Sequence, residues 1–154
     1  MAELTTGAKA PDFSLPAQDG KKYSLKEFKG KKVVLYFYPK DDTSGCTAEA
    51  CSFRDNLSSV KKKGAVILGV SPDPVKLHDK FAVKYDLNFP ILSDESKTML
   101  SEYGVWQEKS MYGRKYMGVV RTTFIIDEKG KISHIFPKVK VEGHTEAVLK
   151  ALSE

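Results

Sequence analysis

The stretch "KKVVLYFYPKDDTSGCTAEAC", residues 31–51, joins a nearly continuous apolar and aromatic run to the only two cysteines of the chain, Cys46 and Cys51. Such a run predicts a strand that is buried on both faces and ended by Pro39. The residues after it, from about 43 to 63, predict a helix, because they have helical spacing of apolar residues, three lysines in the last turn and a glycine after them. Both cysteines therefore follow the carboxyl end of a predicted central strand, where reactive groups gather in α/β sheets.

The segments on either side of this stretch alternate between strand and helix patterns. Residues 104–118 carry three glycines without a clean period, and we interpret them as a loop. The βαβ units predict an α/β fold, with a central mixed sheet flanked by helices on both faces. A thioredoxin-like fold has such a sheet, and other three-layer α/β folds fit the pattern nearly as well. The remaining predicted elements are an N-terminal β-hairpin at 12–25 that turns at Asp19-Gly20, strands within 65–74 and 89–94, helices within 73–87, 95–105 and 144–154, and a hairpin within 119–137.

Length and composition predict one globular domain, residues 1–154. The net charge is +5, but the lysines are spread over the whole chain, which favours a solvated surface over a nucleic-acid site. No apolar run is long enough to span a membrane. The segment "MAELTTGAKAPDF" lacks the basic and apolar regions of a secretory signal, so we expect a cytoplasmic protein. Organelle import followed by removal of a transit peptide stays open.

The predicted position of Cys46, in the first turn of a helix, favours a thiolate. Unpaired backbone N–H groups and the positive end of the helix dipole both stabilise negative charge there. Thr43 is available as the N-cap residue of this helix. Three carboxylates that are close in sequence, on Asp41, Asp42 and Glu49, oppose the thiolate. An activated Cys46 therefore requires a cation from elsewhere in the fold.

The spacing of the two cysteines excludes a bond between them in an intact helix. Residues five apart rise about 7.5 Å along a helix, and a disulfide requires Cα atoms roughly 4.4–6.8 Å apart, with aligned Cβ vectors. A disulfide would thus be transient. The alternatives are two small buried apolar residues, a zinc site and a cysteine–histidine nucleophile. The histidines lack metal-ligand spacing; they are His78, His134 and His144.

The segment "PKDDTSGC", from Pro39 to Cys46, resembles a known family. It matches the peroxiredoxin signature P-x-x-x-[T/S]-x-x-C at every fixed position. Cys51, five residues later, is similar to the second cysteine of the PrxQ or bacterioferritin comigratory protein subfamily. The likeness extends from "GAKAPDFSLPAQDG" through "GVVRTTFIID" to the last helix. The resemblance implies a thioredoxin fold and a thiol peroxidase of antioxidant defence and cell redox homeostasis that needs no metal or other cofactor.

The resemblance also assigns roles in the peroxide reaction. Cys46 is the implied peroxidatic residue. Arg121 corresponds to the active-site arginine of the family, and its guanidinium could also pair with the carboxylate of Glu49. The hydroxyl of Thr43, the N–H of Cys46 and the guanidinium of Arg121 are the expected hydrogen-bond donors to the leaving oxygen. Pro39 is expected to exclude water. Its alternative role is to end the strand, and that of Thr43 is to cap the helix.

The resemblance further implies that Cys51 is the resolving residue. It would condense with the sulfenic acid of Cys46 to a disulfide, which thioredoxin or a similar dithiol reduces. Because both cysteines lie on one predicted helix, we expect a monomer. Two other hypotheses are a protein disulfide oxidoreductase of thioredoxin-like fold and a non-enzymatic basic domain that binds DNA.

Overall fold

The computed structural model describes residues 4–154, so the first three residues of the predicted domain and of the N-terminal segment lie outside the described residues. Within 4–154, no helix combines the length and the apolar composition needed to cross a membrane. The strands are β1 (Ser14–Pro16), β2 (Lys22–Ser24), β3 (Lys32–Phe37), β4 (Ala65–Ser71), β5 (Ile91–Ser93), β6 (Trp106–Met111), β7 (Arg114–Val119), β8 (Thr122–Ile126) and β9 (Ile132–Phe136). The helices are α1 (Ser44–Asp55), α2 (Leu57–Lys62), α3 (Val75–Tyr85), α4 (Thr98–Glu102) and α5 (His144–Leu152), with a 3₁₀ helix at Leu25–Phe28.

The central sheet has the order β5-β4-β3-β8-β9, and its middle strand is the apolar run of the opening stretch. β3 pairs in parallel with β4, and β4 with β5, while β8 is antiparallel to both β3 and β9. β1 and β2 form the predicted N-terminal hairpin. The prediction of a mixed sheet with an N-terminal hairpin in a thioredoxin-like fold is therefore confirmed.

Alternate residues of β3 face two separate apolar cores, which is why the run is apolar without a break. One core includes residues of α4 and of the N-terminal segment, and the other includes residues of α1, α2, α3 and α5. Helices thus contact both faces, as predicted. Gly69 of β4 lies beside Tyr36 in the parallel register, and a Cβ atom at Gly69 would lie only 2.9 Å from the Cζ atom of that ring. The aromatic side chain occupies the space that the glycine leaves.

Two predicted elements differ from the structure. The loop predicted at 104–118 is wrong, because β6 and β7 form an antiparallel hairpin that turns at Tyr112-Gly113. Its side chains are mostly exposed, so no alternating apolar stripe marks it in the sequence. The single helix predicted over residues 43–63 is also wrong, since it divides at Asn56 into α1 and α2. The Asn56 side chain donates to the Ser52 carbonyl, which ends α1 locally.

Candidate active site

The segment between β3 and α1 places Cys46 at the carboxyl end of the central strand, as predicted. β3 ends at Phe37, the half-buried Pro39 follows, and α1 begins after Thr43. Cys46 is the third residue of α1 and is 1% exposed. The first backbone bond of α1 is donated by Thr47 to the Thr43 carbonyl, so the Cys46 N–H precedes the helical ladder. The thiol therefore lies at the positive end of the helix dipole.

Arg121 supplies the cation that the sequence requires. Its Nη2 atom donates to Cys46 Sγ at 3.2 Å, and its Nη1 atom forms an ion pair with Glu49 Oε1 at 2.6 Å. The side chain is only 17% exposed, so solvent screens both contacts weakly. Arg121 was expected within the late strand, but it lies in the connection just before β8. One guanidinium thus places a positive charge beside the Cys46 sulfur and also pairs with the carboxylate nearest to it.

Gly45 is a residue of this site that the sequence analysis missed. A Cβ atom there would lie 3.2 Å from Arg121 Nη2. The glycine therefore allows the guanidinium to approach the helix start closely enough to contact Cys46. The only signal of this role in the sequence is that a glycine precedes the cysteine. The side chain for which it makes room, Arg121, is more than 70 residues away.

Glu49 destabilises a negative charge on Cys46 less than a fully ionised carboxylate would. Its side chain is 1% exposed, and its Oε2 atom has no hydrogen-bond partner among the described residues. Burial raises the pKa of Glu49 to about 7, against the smaller lowering effect of Arg121. This shift favours the protonated form, so Glu49 places less negative charge beside the Cys46 sulfur than a solvated carboxylate would.

The two aspartates of the segment are also paired. Asp41 accepts a hydrogen bond from the Tyr38 hydroxyl at 2.6 Å and pairs with His78 Nδ1 at 2.6 Å. Asp42 pairs with Lys84 of α3 at 2.8 Å. In the sequence alone, these carboxylates count as unpaired charges that oppose the thiolate. Their partners compensate this effect, and none of these partners was identified from the sequence.

Thr43 occupies the N-cap position, but its hydroxyl does not cap α1. The hydroxyl donates instead to the Lys40 carbonyl at 3.0 Å, and the side chain is exposed. The capping alternative for the hydroxyl is therefore wrong. Because its hydrogen is already engaged, the oxygen is available as an acceptor rather than as the expected donor. The Cys46 N–H and Arg121 are the donors that remain.

Cys51 lies on the same helix as Cys46, and both thiols are free. Cys51 is partly exposed, whereas Cys46 is buried. With α1 intact, residues five apart are separated by about 7.5 Å along the axis, too far for a disulfide of ordinary geometry. The structure is thus the form in which Cys46 is reduced and held apart from Cys51.

The histidines have partners that do not include either thiol. His144 Nε2 is hydrogen-bonded to Thr123 Oγ1 at 2.8 Å, and burial, with Arg121 nearby, lowers its pKa to about 4. His134 lies near Ser133 and Glu154, and His78 pairs with Asp41. Within residues 4–154, no group of three or more potential ligands is arranged to hold a metal ion.

Comparisons with known proteins agree with this geometry. The sequence pattern of the AhpC/TSA family matches residues 6–135. A putative peroxiredoxin Bcp of Coxiella burnetii is 54% identical over 97% of this chain and 99% of its own length, and peroxiredoxin Bcp of Escherichia coli is 46% identical over 100% and 99%. The bacterioferritin comigratory protein of Xanthomonas campestris, described in terms of alkyl peroxide reduction, superposes with a TM-score of 0.91 at 39% identity over 97% and 98%. The chain therefore belongs to the AhpC/TSA family, as a peroxiredoxin of the Bcp and PrxQ type.

Proposed function

We propose that this peroxiredoxin reduces hydrogen peroxide and organic hydroperoxides with Cys46 as the peroxidatic residue and Cys51 as the resolving residue. The observation that carries the proposal is the contact between Arg121 and the buried Cys46 sulfur at the start of α1. A buried sulfur with a cation and a helix N-terminus beside it is suited to react as a thiolate. The product would be water or an alcohol, in keeping with antioxidant defence.

The first step is attack of the Cys46 thiolate on one oxygen of the peroxide. A sulfur–oxygen bond forms, the oxygen–oxygen bond breaks, and the leaving oxygen departs with the electron pair and takes up a proton. Arg121 and the Cys46 N–H are the donors for the negative charge that develops on that oxygen. Thr43 accepts a hydrogen bond from the peroxide O–H, and Pro39 restricts the access of water. Cys46 becomes a sulfenic acid.

The second step is attack of the Cys51 thiolate on the Cys46 sulfenic sulfur. A disulfide forms, and the sulfenic oxygen leaves as water after taking up a proton. The step requires the first turns of α1 to unwind, because the intact helix holds the two sulfurs apart. An external dithiol then reduces the disulfide by thiol–disulfide exchange. We propose thioredoxin as that dithiol.

We also propose that the enzyme acts as a monomer in the cytoplasm, with the whole chain as one domain. Both reacting cysteines lie on α1, so resolution requires no second subunit. Arg121 lies just before β8, and β8 and β9 belong to the same sheet as β3. α5 packs against the apolar core that also contains residues of α1. The elements that build the site therefore come from most of the chain.

The test is peroxide-dependent consumption of reduced thioredoxin, supplied with thioredoxin reductase and NADPH. The wild-type protein should sustain turnover, and Cys46→Ser should abolish it. Turnover retained in Cys46→Ser would contradict the proposal. An insulin-reduction assay provides the control for a disulfide oxidoreductase, which would reduce insulin without any peroxide.

A further inference from the structure

The segment that precedes Cys46 is attached to α3 by a buried pair of side chains, Asp41 and His78. His78 lies on α3 and is fully buried, and Asp41 is nearly so. Their atoms Nδ1 and Oδ2 are 2.6 Å apart. The peroxide mechanism uses neither side chain. A buried pair of ionisable groups requires compensation for the loss of hydration, so its position beside the reacting segment requires an explanation.

Every polar side-chain atom of this pair has a partner. His78 Nε2 lies 3.0 Å from the Leu92 carbonyl of β5, which only accepts, so Nε2 carries a hydrogen. Nδ1 shares a second hydrogen with Asp41 Oδ2, and the other oxygen of Asp41 accepts from the Tyr38 hydroxyl. The network therefore connects the end of β3, the segment before α1, α3 and β5. Such a satisfied buried network fixes the groups that it joins.

The backbone of Asp41 is held as well. Its N–H donates to Asp73 Oδ2 at 2.7 Å, and the Asp73 carbonyl accepts from Ser93 Oγ at 2.6 Å. The next residue, Asp42, has a φ of +57°, in the left-handed region. That conformation costs about 1 kcal/mol for a residue with a side chain. The contacts of Asp42 with Lys84 and Tyr85 are exposed and thus weak, so the buried pair of Asp41 is the stronger restraint.

We propose that Asp41 and His78 are positioning residues for the peroxide step, an inference that rests on the proposed function. They fix the segment between β3 and α1, and thereby the place of the Cys46 sulfur and N–H relative to Arg121. Attack on peroxide requires this geometry, because small misplacements of reacting groups reduce rates strongly. Disulfide formation requires the first turns of α1 to loosen. Loss of the pair therefore slows the first step and does not slow the second.

The experiment measures the two steps separately in His78→Asn and Asp41→Asn. Mixing with hydrogen peroxide in a Cys51→Ser background gives the rate constant of Cys46 oxidation, and the same variants with Cys51 present give that of disulfide formation. Mass spectrometry of rapidly quenched and alkylated samples counts the oxidised Cys46 and the disulfide, and so reports both. We expect oxidation to slow about tenfold to a hundredfold, with disulfide formation unchanged or faster.

Two controls separate positioning from a general loss of stability. His134→Asn removes a partly exposed histidine of β9 whose Nε2 atom lies 3.3 Å from the Glu154 carboxylate, far in sequence from the segment. It should leave both rate constants within about twofold of wild type. Val148→Ala removes buried volume from the apolar core that α5 shares with α1 but leaves the hydrogen-bond partners of Asp41 and His78 in place, and it shows the kinetic effect of reduced packing.

The results decide between the alternatives as follows. Oxidation within twofold of wild type in both variants would overturn the inference, as would equal slowing of both steps like that in Val148→Ala. Failure of both variants to fold, measured by circular dichroism, would also overturn it, because the pair would then support the fold rather than position the segment. Wild-type protein measured alongside keeps the two proposals distinct. If wild-type Cys46 itself did not react with peroxide, the proposed function would fail instead.

Discussion

The two cysteines lie on one helix, but their surroundings differ. Cys46 is buried at the start of α1, where Arg121 donates to its sulfur and Glu49 completes the ion pair. Cys51 lies in the middle of α1 and is partly exposed, and its thiol forms no side-chain hydrogen bond among the described residues. The first position thus stabilises negative charge on sulfur. The second is separated from the first by helical geometry.

The contacts on either side of the cysteines indicate where α1 can unwind. Before Cys46, the segment is held to α3 by Asp41 and His78. After Cys51, Ser52 is hydrogen-bonded to Thr145 of α5, and Arg54 donates to the Tyr85 carbonyl of α3. The anchors thus flank the two cysteines, which confines the required unwinding to the first two turns of α1.

Replacement of Cys51 by serine has the largest expected effect on the difference between the two cysteines. Cys51→Ser should complete one turnover and then stop with thioredoxin alone, because no resolving thiol remains. Its rate constant for oxidation of Cys46 should stay within about twofold of wild type, since Cys51 has no contact with the Cys46 sulfur. Thioredoxin consumption measures turnover, and mass spectrometry of rapidly quenched samples measures the oxidation of Cys46. Addition of a small thiol should restore turnover, and sustained turnover without it would contradict the assigned role.

Removal of the Arg121 guanidinium has the next largest effect. Arg121→Met should slow oxidation of Cys46 about a hundredfold, as loss of one donor to a developing oxyanion typically does. Arg54→Met is the matched control, because Arg54 lies on α1 with Cys46 but pairs with the exposed Asp55 instead of the sulfur. Rapid mixing with peroxide compares the two variants. Similar rate constants for both would show that a cation at Cys46 is not needed.

The hydroxyl of Thr43 should have a smaller effect. Thr43→Val should slow oxidation about tenfold, since the peroxide O–H would lose one hydrogen-bond acceptor, and Thr43→Ser should retain most of the rate. Thr47→Val provides the control one turn later, because the Thr47 hydroxyl is buried without a partner. The same rapid-mixing assay decides. Equal rates for Thr43→Val and wild type would limit Thr43 to a structural role.

The smallest expected effect concerns Glu49 and pH. Burial raises the pKa of Glu49 to about 7 in the folded protein, from an ordinary value of 4.5. Between these values the folded state keeps a proton that the unfolded state has released, so stability falls as the pH rises through this window. Relative to Glu49→Gln, wild type should therefore lose up to about 1.4 kcal/mol of unfolding free energy per pH unit. The relative loss should stop above pH about 7.

Urea unfolding at pH 5, 6, 7 and 8 measures this difference, with the exposed Glu146→Gln as a control. The control should follow wild type at every pH, because folding leaves the Glu146 side chain in contact with water. A constant difference between wild type and Glu49→Gln across the range would show that the carboxyl of Glu49 does not titrate in this window.

The fold was predictable where local sequence patterns are strong. The buried run of β3, the helix start before Cys46 and the N-terminal hairpin follow from apolar continuity, charge and turn residues. The β6–β7 hairpin was not predictable, because its strands are mostly exposed and lack an apolar face. The division of α1 from α2 was missed because one side-chain bond, from Asn56 to Ser52, ends the helix.

The same distinction applies to the site. Cys46, Cys51 and Thr43 belong to one short segment, and the family resemblance supplied Arg121. His78 was treated only as one of three scattered histidines, because its partner Asp41 is 37 residues away and meets it only through the packing of α3 on the segment. Contacts between distant elements leave no periodic signal in the sequence. The role of Gly45 likewise depends on a distant side chain.

Amide hydrogen exchange of α1 in the reduced and disulfide forms of the wild-type protein tests the central claim most directly. In the proposed mechanism, the helix that holds the two cysteines apart unwinds when the disulfide forms. Amides of residues 44–51 should therefore exchange faster in the disulfide form, whereas those of β3 should be equally protected in both. Equal protection of residues 44–51 in the two forms would contradict the account.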